Sequence, residues 1–256
     1  MNGGHMQIKI NSIDINYLQQ GAGEDVLLLH GWGDSKTSFV PLLKHLCSNF
    51  RVTALDFPGH GESGEPPQSG FSVGDYADLL LAFMDALGIN RAHIVAHSFG
   101  CRVTLKAASA HPTRFGKLLL TGAAGLRPKR GMKYYLRTYL YKTGKIFLSL
   151  LPGGKALVEK WRARFGSSDY QALKPALRAT FIKVVNEDLH ATLANIQSPT
   201  LLVFGSQDNA TPLWMGKIMQ SEIPAAALVV FEGRGHYAFA EEQPRFLRVM
   251  DAFLYS

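Results

Sequence analysis

Cysteine is scarce in this chain of 256 residues: Cys47 and Cys101 are the only two. That is too few for a disulfide framework, and no zinc-ligand spacing accompanies them. Charged residues make up 18% against 46% hydrophobic, a globular profile that excludes a disordered acidic or basic tail as the main feature. No apolar run approaches the roughly eighteen residues needed to span a bilayer. Met1–Met6 is polar and no apolar core comes after it, so no secretory signal is expected. The Gly-His-Met run at residues 4–6 marks Met6 as a candidate natural start. A P-loop and an RNP-like stretch are missing, so nucleic acid is not an expected partner. A cytoplasmic home is the expectation, and the length suits one large α/β domain or two small ones.

Charge is present but unevenly placed. The net charge is +7, yet the segment from Arg127 to His190 holds fourteen Lys/Arg against four acids. That segment is therefore +10 and the remainder −3. Such asymmetry marks a distinct module. It reads first as a solvated helical face; attraction of an anionic partner or membrane surface is the alternative.

Hydrophobic periodicity gives the organisation. Gln7 to Tyr17 alternates apolar and polar residues around Asn11-Ser12, as an edge hairpin does. Val26–Leu29 is a continuous apolar run, expected of a strand buried on both faces, and Val52–Leu55, Ala92–Ala96, Lys117–Leu120, Leu201–Phe204 and Ala227–Phe231 read as further short strands. Between them lie helical patterns at Ser38–Leu46, Ser72–Leu87, Phe99–His111, Leu213–Met219 and Pro244–Leu254. Ser72 is placed to cap the second of these and Gly88 to end it. The alternation implies an α/β fold, a mostly parallel twisted sheet flanked by helices. It breaks over residues 126–189, which read as a helical insertion, so residues 1–125 and 190–256 form one core domain.

The stretch Ile94-Val95-Ala96-His97-Ser98-Phe99-Gly100 places one serine between a strand and a helix, with small residues two positions to either side. A tight strand-to-helix turn of this kind holds a hydroxyl in the open, where the helix N-terminus favours developing negative charge. Acyl transfer by serine also needs an imidazole, a carboxylate to orient it, and N–H donors. Asp208 comes after a strand in Phe204-Gly205-Ser206-Gln207-Asp208, and His236 after the last strand in Glu232-Gly233-Arg234-Gly235-His236. His30 and His60 lie in glycine-flanked turns and read as structural hydrogen-bonders. His45, His93, His111 and His190 lack a glycine-rich setting. In Leu29-His30-Gly31-Trp32-Gly33 the glycines let backbone N–H groups turn inward, so the Trp32 and Phe99 amides are the candidate oxyanion donors.

In chain order these motifs are His-Gly-Trp-Gly, Asp-Phe-Pro-Gly-His-Gly-Glu-Ser at 56–63, the serine turn, the insertion, Gly-Ser-Gln-Asp and Gly-Arg-Gly-His. The set resembles the α/β-hydrolase superfamily over nearly the whole chain. The resemblance implies Ser98 as nucleophile, His236 as general base and then acid, Asp208 as orienting carboxylate, and residues 126–189 as a helical cap. Some members place the acid one strand earlier, but Thr121-Gly122-Ala123-Ala124 offers none. A serine at 98 disfavours dehalogenases and epoxide hydrolases of this fold, which use aspartate. Ala96-His97-Ser98 and Gly33-Asp34-Ser35 differ from the usual motifs of carbon–carbon bond hydrolases, which ranks that activity lower. The chain is most similar in pattern to small carboxylesterases with a helical cap, so a small-molecule ester substrate is expected, with no cofactor and no metal. Other activities of the same triad (thioesterase, lactonase, aminopeptidase, perhydrolase) and a slow-turnover ligand receptor stay open, as does the oligomeric state. Tyr135, Tyr139, Trp214 and Tyr237 are the expected pocket residues. Phe239 and further apolar cap side chains, including Tyr134, Leu136, Leu140, Phe147, Leu148, Leu150 and Leu151, are weaker candidates.

Overall fold

The apolar runs assemble into one sheet in the computed structural model, which describes residues 5–127 and 175–256, together with residues 139–141, 144, 145, 147, 148, 157, 158, 161 and 173. Among these the strands are β1 (His5–Ile10), β2 (Ile13–Gln20), β3 (Asp25–Leu29), β4 (Arg51–Leu55), β5 (Ala92–His97), β6 (Phe115–Thr121), β7 (Thr200–Gly205) and β8 (Ala226–Phe231). Their spatial order is β1-β2-β4-β3-β5-β6-β7-β8. The β1–β2 and β2–β4 pairs are antiparallel, and every pair from β4 through β3 to β8 is parallel. The expected edge hairpin is present and longer than its alternation suggested. Asn11 and Ser12 both take positive φ, 47° and 69°, the backbone a two-residue hairpin turn requires.

The helices are α1 (Val40–Leu46), α2 (Val73–Ala86), α3 (Phe99–Ala110), α4 (Pro175–Asn186), α5 (Leu213–Glu222), α6 (Ala238–Glu241) and α7 (Gln243–Leu254). The helix expected from Ser38 begins instead as a 3-10 turn, Lys36–Phe39, and becomes α-helical at Val40. Pro41 explains the change, since a residue without an N–H belongs in the first turn of an α-helix. Ser72 caps α2 in a reciprocal box with Asp75, and Gly88 beyond its end has φ 67°. The four-residue α6 was not foreseen. Of the insertion expected over 126–189, α4 and a few further residues are described; the rest lies outside the described residues.

Side-chain alternation along the strands divides the core into two layers. Leu27, Leu29, Ile94, Ala96, Leu202 and Phe204 face one layer, closed by α2, α3 and α5. Val26, Leu28, Val95, Leu119, Val203 and Phe231 face the other, closed by α1 and α7. Each large apolar side chain buried there contributes about 1.5–3 kcal/mol. Because β5, β7 and β8 are parallel, the loops that leave them emerge along one edge of the sheet.

A buried ion pair holds two loops at that edge. Asp56, directly after β4 and fully buried, accepts hydrogen bonds from Lys36 N (2.6 Å), Lys36 Nζ (2.7 Å) and Glu62 N (2.9 Å). Lys36 is itself buried and also donates to Glu62 Oε2 at 2.7 Å. The loop carrying Trp32 is thereby fixed to the loop after β4. Replacing Lys36 by Met strands the Asp56 carboxylate, so K36M should lose about 3–5 kcal/mol of unfolding free energy in urea titrations. A loss under about 1 kcal/mol would show the pair to be incidental.

Candidate active site

Ser98 stands between β5 and α3 with φ 49° and ψ −104°. Left-handed φ is costly for a residue with a side chain, and here it is imposed from several sides. Ser98 N donates to Thr121 O (3.1 Å), Ala124 N donates to Ser98 O (3.3 Å), and Gly100 N donates to His30 O (3.1 Å). Gly100 approaches β3 so closely that a Cβ there would lie 2.2 Å from Leu29 O, so glycine alone fits. Ala96, in contrast, has ordinary strand φ and is fully buried, which is why its methyl is accepted.

The other two groups arrive from β7 and β8. Gly205 ends β7, and a Cβ there would sit 2.2 Å from Gly235 O, so this glycine lets the histidine loop cross over the strand end. Ser206 N to Phe231 O (3.1 Å), Gln207 N to Arg234 O (2.9 Å) and Gly233 N to Ser206 Oγ (2.9 Å) bind the two loops together. His236 then spans the gap. Its Nε2 is 3.0 Å from Ser98 Oγ and its Nδ1 is 2.7 Å from Asp208 Oδ2. Residues 98, 208 and 236 are therefore brought into one hydrogen-bonded line. This is the geometry needed for an imidazole to take a hydroxyl proton while a carboxylate holds its tautomer.

Asp208 is buried, and its remaining acceptor sites are filled. Oδ1 accepts from Ala210 N (2.8 Å) and Thr211 N (2.9 Å), and Oδ2 from Thr211 Oγ1 (2.7 Å). Burial pushes the Asp208 carboxyl up, but the hydrogen bonds from His236 and Thr211 outweigh it and hold it below its ordinary value. The sequence reading missed Thr211. Its signal was a hydroxyl three residues after an acid, just ahead of Pro212.

Beside Ser98 lies a cavity of about 650 Å³. Trp32, Ser98, Phe99, His236 and Tyr237 line it, as expected, with Phe181, Val184 and Val185 of α4 and Arg102 of α3 among those not foreseen. Among the described residues the backbone N–H groups of Trp32 and Phe99 have no acceptor. The Trp32 indole packs edge-on against Phe99 (ring centroids 5.3 Å apart) and against His60 (4.8 Å), which places its loop beside the serine. Three pocket expectations fare otherwise. Trp214 packs against the core and does not line the cavity, because the phase of α5 turns its neighbour Met215 inward. Tyr139 is 66% exposed and is not among the lining residues. Tyr135 lies outside the described residues, as do Tyr134, Leu136, Leu150 and Leu151. Leu140, Phe147, Leu148 and Phe239 are not among the lining residues, and Phe239 is buried in the layer closed by α7, with its ring 5.0 Å from that of His97.

Three buried histidines frame the site. His30 Nδ1 donates to Gly31 O (2.7 Å) and its Nε2 accepts from Phe57 N (3.0 Å); His60 Nδ1 donates to Pro58 O (3.1 Å). Both roles match the structural reading of these turns. His97 Nδ1 donates to Thr121 O (3.1 Å), and its ring centroid is 4.7 Å from that of His236. Burial depresses all three; His60 is lowered to about 4, with His30 adding repulsion, and His97 to about 3, with His236 adding repulsion. Among the described residues no cluster of His, Cys, Asp and Glu has metal-ligand geometry, and no helix is long and apolar enough to cross a membrane.

Known proteins share this architecture. A model of the alpha/beta hydrolase family matches residues 26–248. The 2-hydroxy-6-oxo-6-phenylhexa-2,4-dienoate hydrolase of Comamonas testosteroni is 29% identical, with 94% of this chain and 91% of that protein covered. Among solved structures, a hydrolase from Pseudomonas aeruginosa is 25% identical with a TM-score of 0.77 over 100% of both chains. A meta-cleavage product hydrolase from Pseudomonas fluorescens is 25% identical with a TM-score of 0.76, covering 99% of this chain and 98% of that one.

The neutral histidines set a pH dependence. The unfolded chain takes up protons on these rings near 6.5, whereas folded His60 and His97 resist until about 4 and about 3. Stability therefore falls as pH drops below about 6.5, by up to about 1.4 kcal/mol per pH unit for each ring. Urea midpoints should decline from about pH 7 to about pH 5, and H60N should flatten the decline by about one proton's worth. Equal slopes in the two proteins would contradict a buried neutral His60.

Proposed function

The chain belongs to the α/β-hydrolase family, and from that premise we propose that it is a serine hydrolase that cleaves carboxylic esters of small molecules through an acyl-enzyme. The observation that carries this reading is the line from Ser98 Oγ through His236 to Asp208, at 3.0 Å and 2.7 Å, beside two unengaged amides. Ser98 Oγ attacks the ester carbonyl as His236 Nε2 takes its proton. The tetrahedral oxyanion accepts hydrogen bonds from the Trp32 and Phe99 amides, each worth about 3–4 kcal/mol of barrier. His236 returns the proton to the departing alcohol. Water then enters, gives its proton to His236, and attacks the acyl carbonyl; Ser98 regains a proton as the acid leaves. Asp208 keeps Nδ1 protonated and stabilises the imidazolium in both halves. The steps need no metal and no organic cofactor.

A second reading is favoured by the relative from Comamonas testosteroni, which is named as a hydrolase of 2-hydroxy-6-oxo-6-phenylhexa-2,4-dienoate. The same three groups would then act on a carbon–carbon bond next to a ketone. Turnover of p-nitrophenyl butyrate and of 2-hydroxy-6-oxo-6-phenylhexa-2,4-dienoate, measured side by side, separates the two.

Ester turnover by the wild-type protein should fall at least about a thousandfold in Ser98→Ala, with comparable losses in Asp208→Asn and His236→Ala. A fluorophosphonate should label Ser98 and no other serine, as read by peptide mass spectrometry. Full activity in S98A would refute the mechanism.

A further inference from the structure

The cavity beside Ser98 is walled mostly by apolar groups, yet it contains a permanent cation. Arg102 lines it from the first turn of α3 and is only 6% exposed. It lies one turn beyond the serine, with Arg102 N donating to Ser98 O at 3.3 Å, so its Cα is about 6 Å along the helix axis from the nucleophile. Its guanidinium carries five N–H donors. Nη1 donates to the backbone carbonyl of Glu187 at 2.5 Å, and among the described residues Nε and Nη2 have no protein acceptor. Among the same residues no carboxylate pairs with it. The Glu187 side chain is occupied by Lys106 Nζ (3.0 Å) and Val73 N (3.2 Å), and that of Asp188 by His190 N (3.2 Å).

A guanidinium largely removed from water with no carboxylate in direct contact is expensive, by several kcal/mol. Here burial lowers Arg102 to about 10 even with Glu187 and Asp188 acting to raise it, so the side chain is still a cation at neutral pH. Arginine presents a planar fork that matches a carboxylate, and Arg102 lines the same cavity as the serine.

We propose that Arg102 is an anion subsite of the Ser98 centre, and that the acyl half of the substrate ends in a free carboxylate a few atoms from the scissile carbonyl. This rests on the esterase reading above. An anchor one helical turn from the nucleophile holds the acyl half through both its transfer to Ser98 and its release, whereas the alcohol half departs after the first step. Arg102 is thus a specificity-determining residue, and the substrate class is the monoesters of short dicarboxylic acids.

The test pairs p-nitrophenyl hemi-esters of succinic, glutaric and adipic acid with the neutral butyrate, pentanoate and hexanoate of equal length. In the wild-type protein at least one hemi-ester should exceed its neutral partner tenfold or more in kcat/KM. R102M should bring that ratio to about one, and R102K, which keeps charge but loses the fork, should restore part of it. A merely structural Arg102 would lower both members of a pair together and leave the ratio where it was. Neutral esters matching or exceeding every hemi-ester in the wild type, or a ratio unmoved by R102M, would overturn the proposal. If neither series is hydrolysed, the esterase reading fails, and calorimetry on the S98A protein decides the subsite alone. Glutarate or adipate binding that disappears in S98A/R102M supports it, and absence of binding to S98A rejects it. R102K serves in each arm if R102M does not fold.

Discussion

The structure turns on the backbone of a single residue. Ser98 occupies a region of conformational space that costs about 1–3 kcal/mol for a residue with a side chain. It is kept there by contacts from both neighbouring strands: the carbonyl of Thr121 at the end of β6 receives its N–H, and the carbonyl of His30 just beyond β3 receives that of Gly100. The bend lifts the hydroxyl clear of α3, and the Ser98 side chain makes no cap for that helix. It is left to meet an imidazole instead. Neither flanking strand can shift without releasing the bend, so the centre of the sheet and the reactive geometry are one mechanical unit.

A second layer of order is polar and buried. The Trp32 loop owes its position to Lys36 and Asp56 and to His30, whose ring bridges to Phe57 N, and only secondarily to the strand it extends. Aromatic contacts from Phe99 and Phe181 finish the work on the indole. The Trp32 amide, proposed above as an oxyanion donor, is therefore placed by contacts within the protein itself, which is the condition for electrostatic stabilisation without reorganisation.

The positions of Ser98, Asp208 and His236 were legible in the sequence because each comes shortly after a short, largely apolar strand run, and parallel strands deliver their C-terminal loops to one edge. Gly100, Gly205 and Gly235 were legible for the same reason, since each lies at or next to a close crossing of backbones. The features that stayed hidden depend on rotation about an axis. One step of α5 separates Trp214, which packs on the core, from Met215, which lines the cavity, and apolar periodicity treats the two alike. Arg102 was readable in principle: it stands four residues from Ser98, on the same face of a helix whose other buried side chains are small or apolar. The start of α1 was misplaced because a 3-10 turn carries the same composition as the helix it precedes. The expected cap residues Tyr134 and Tyr135 fall outside the described part of the chain.

The arrangement of the three reactive groups along the chain has a consequence for biosynthesis. The hydroxyl belongs to the first half of the polypeptide, the carboxylate comes after the penultimate strand, and the imidazole after the last one. A ribosome releases Ser98 long before Asp208 and His236, and contacts this distant in sequence close late. On the proposed mechanism, the emerging polypeptide would stay chemically silent through most of translation, because the line from Ser98 to Asp208 closes only once the loop after β8 is in place.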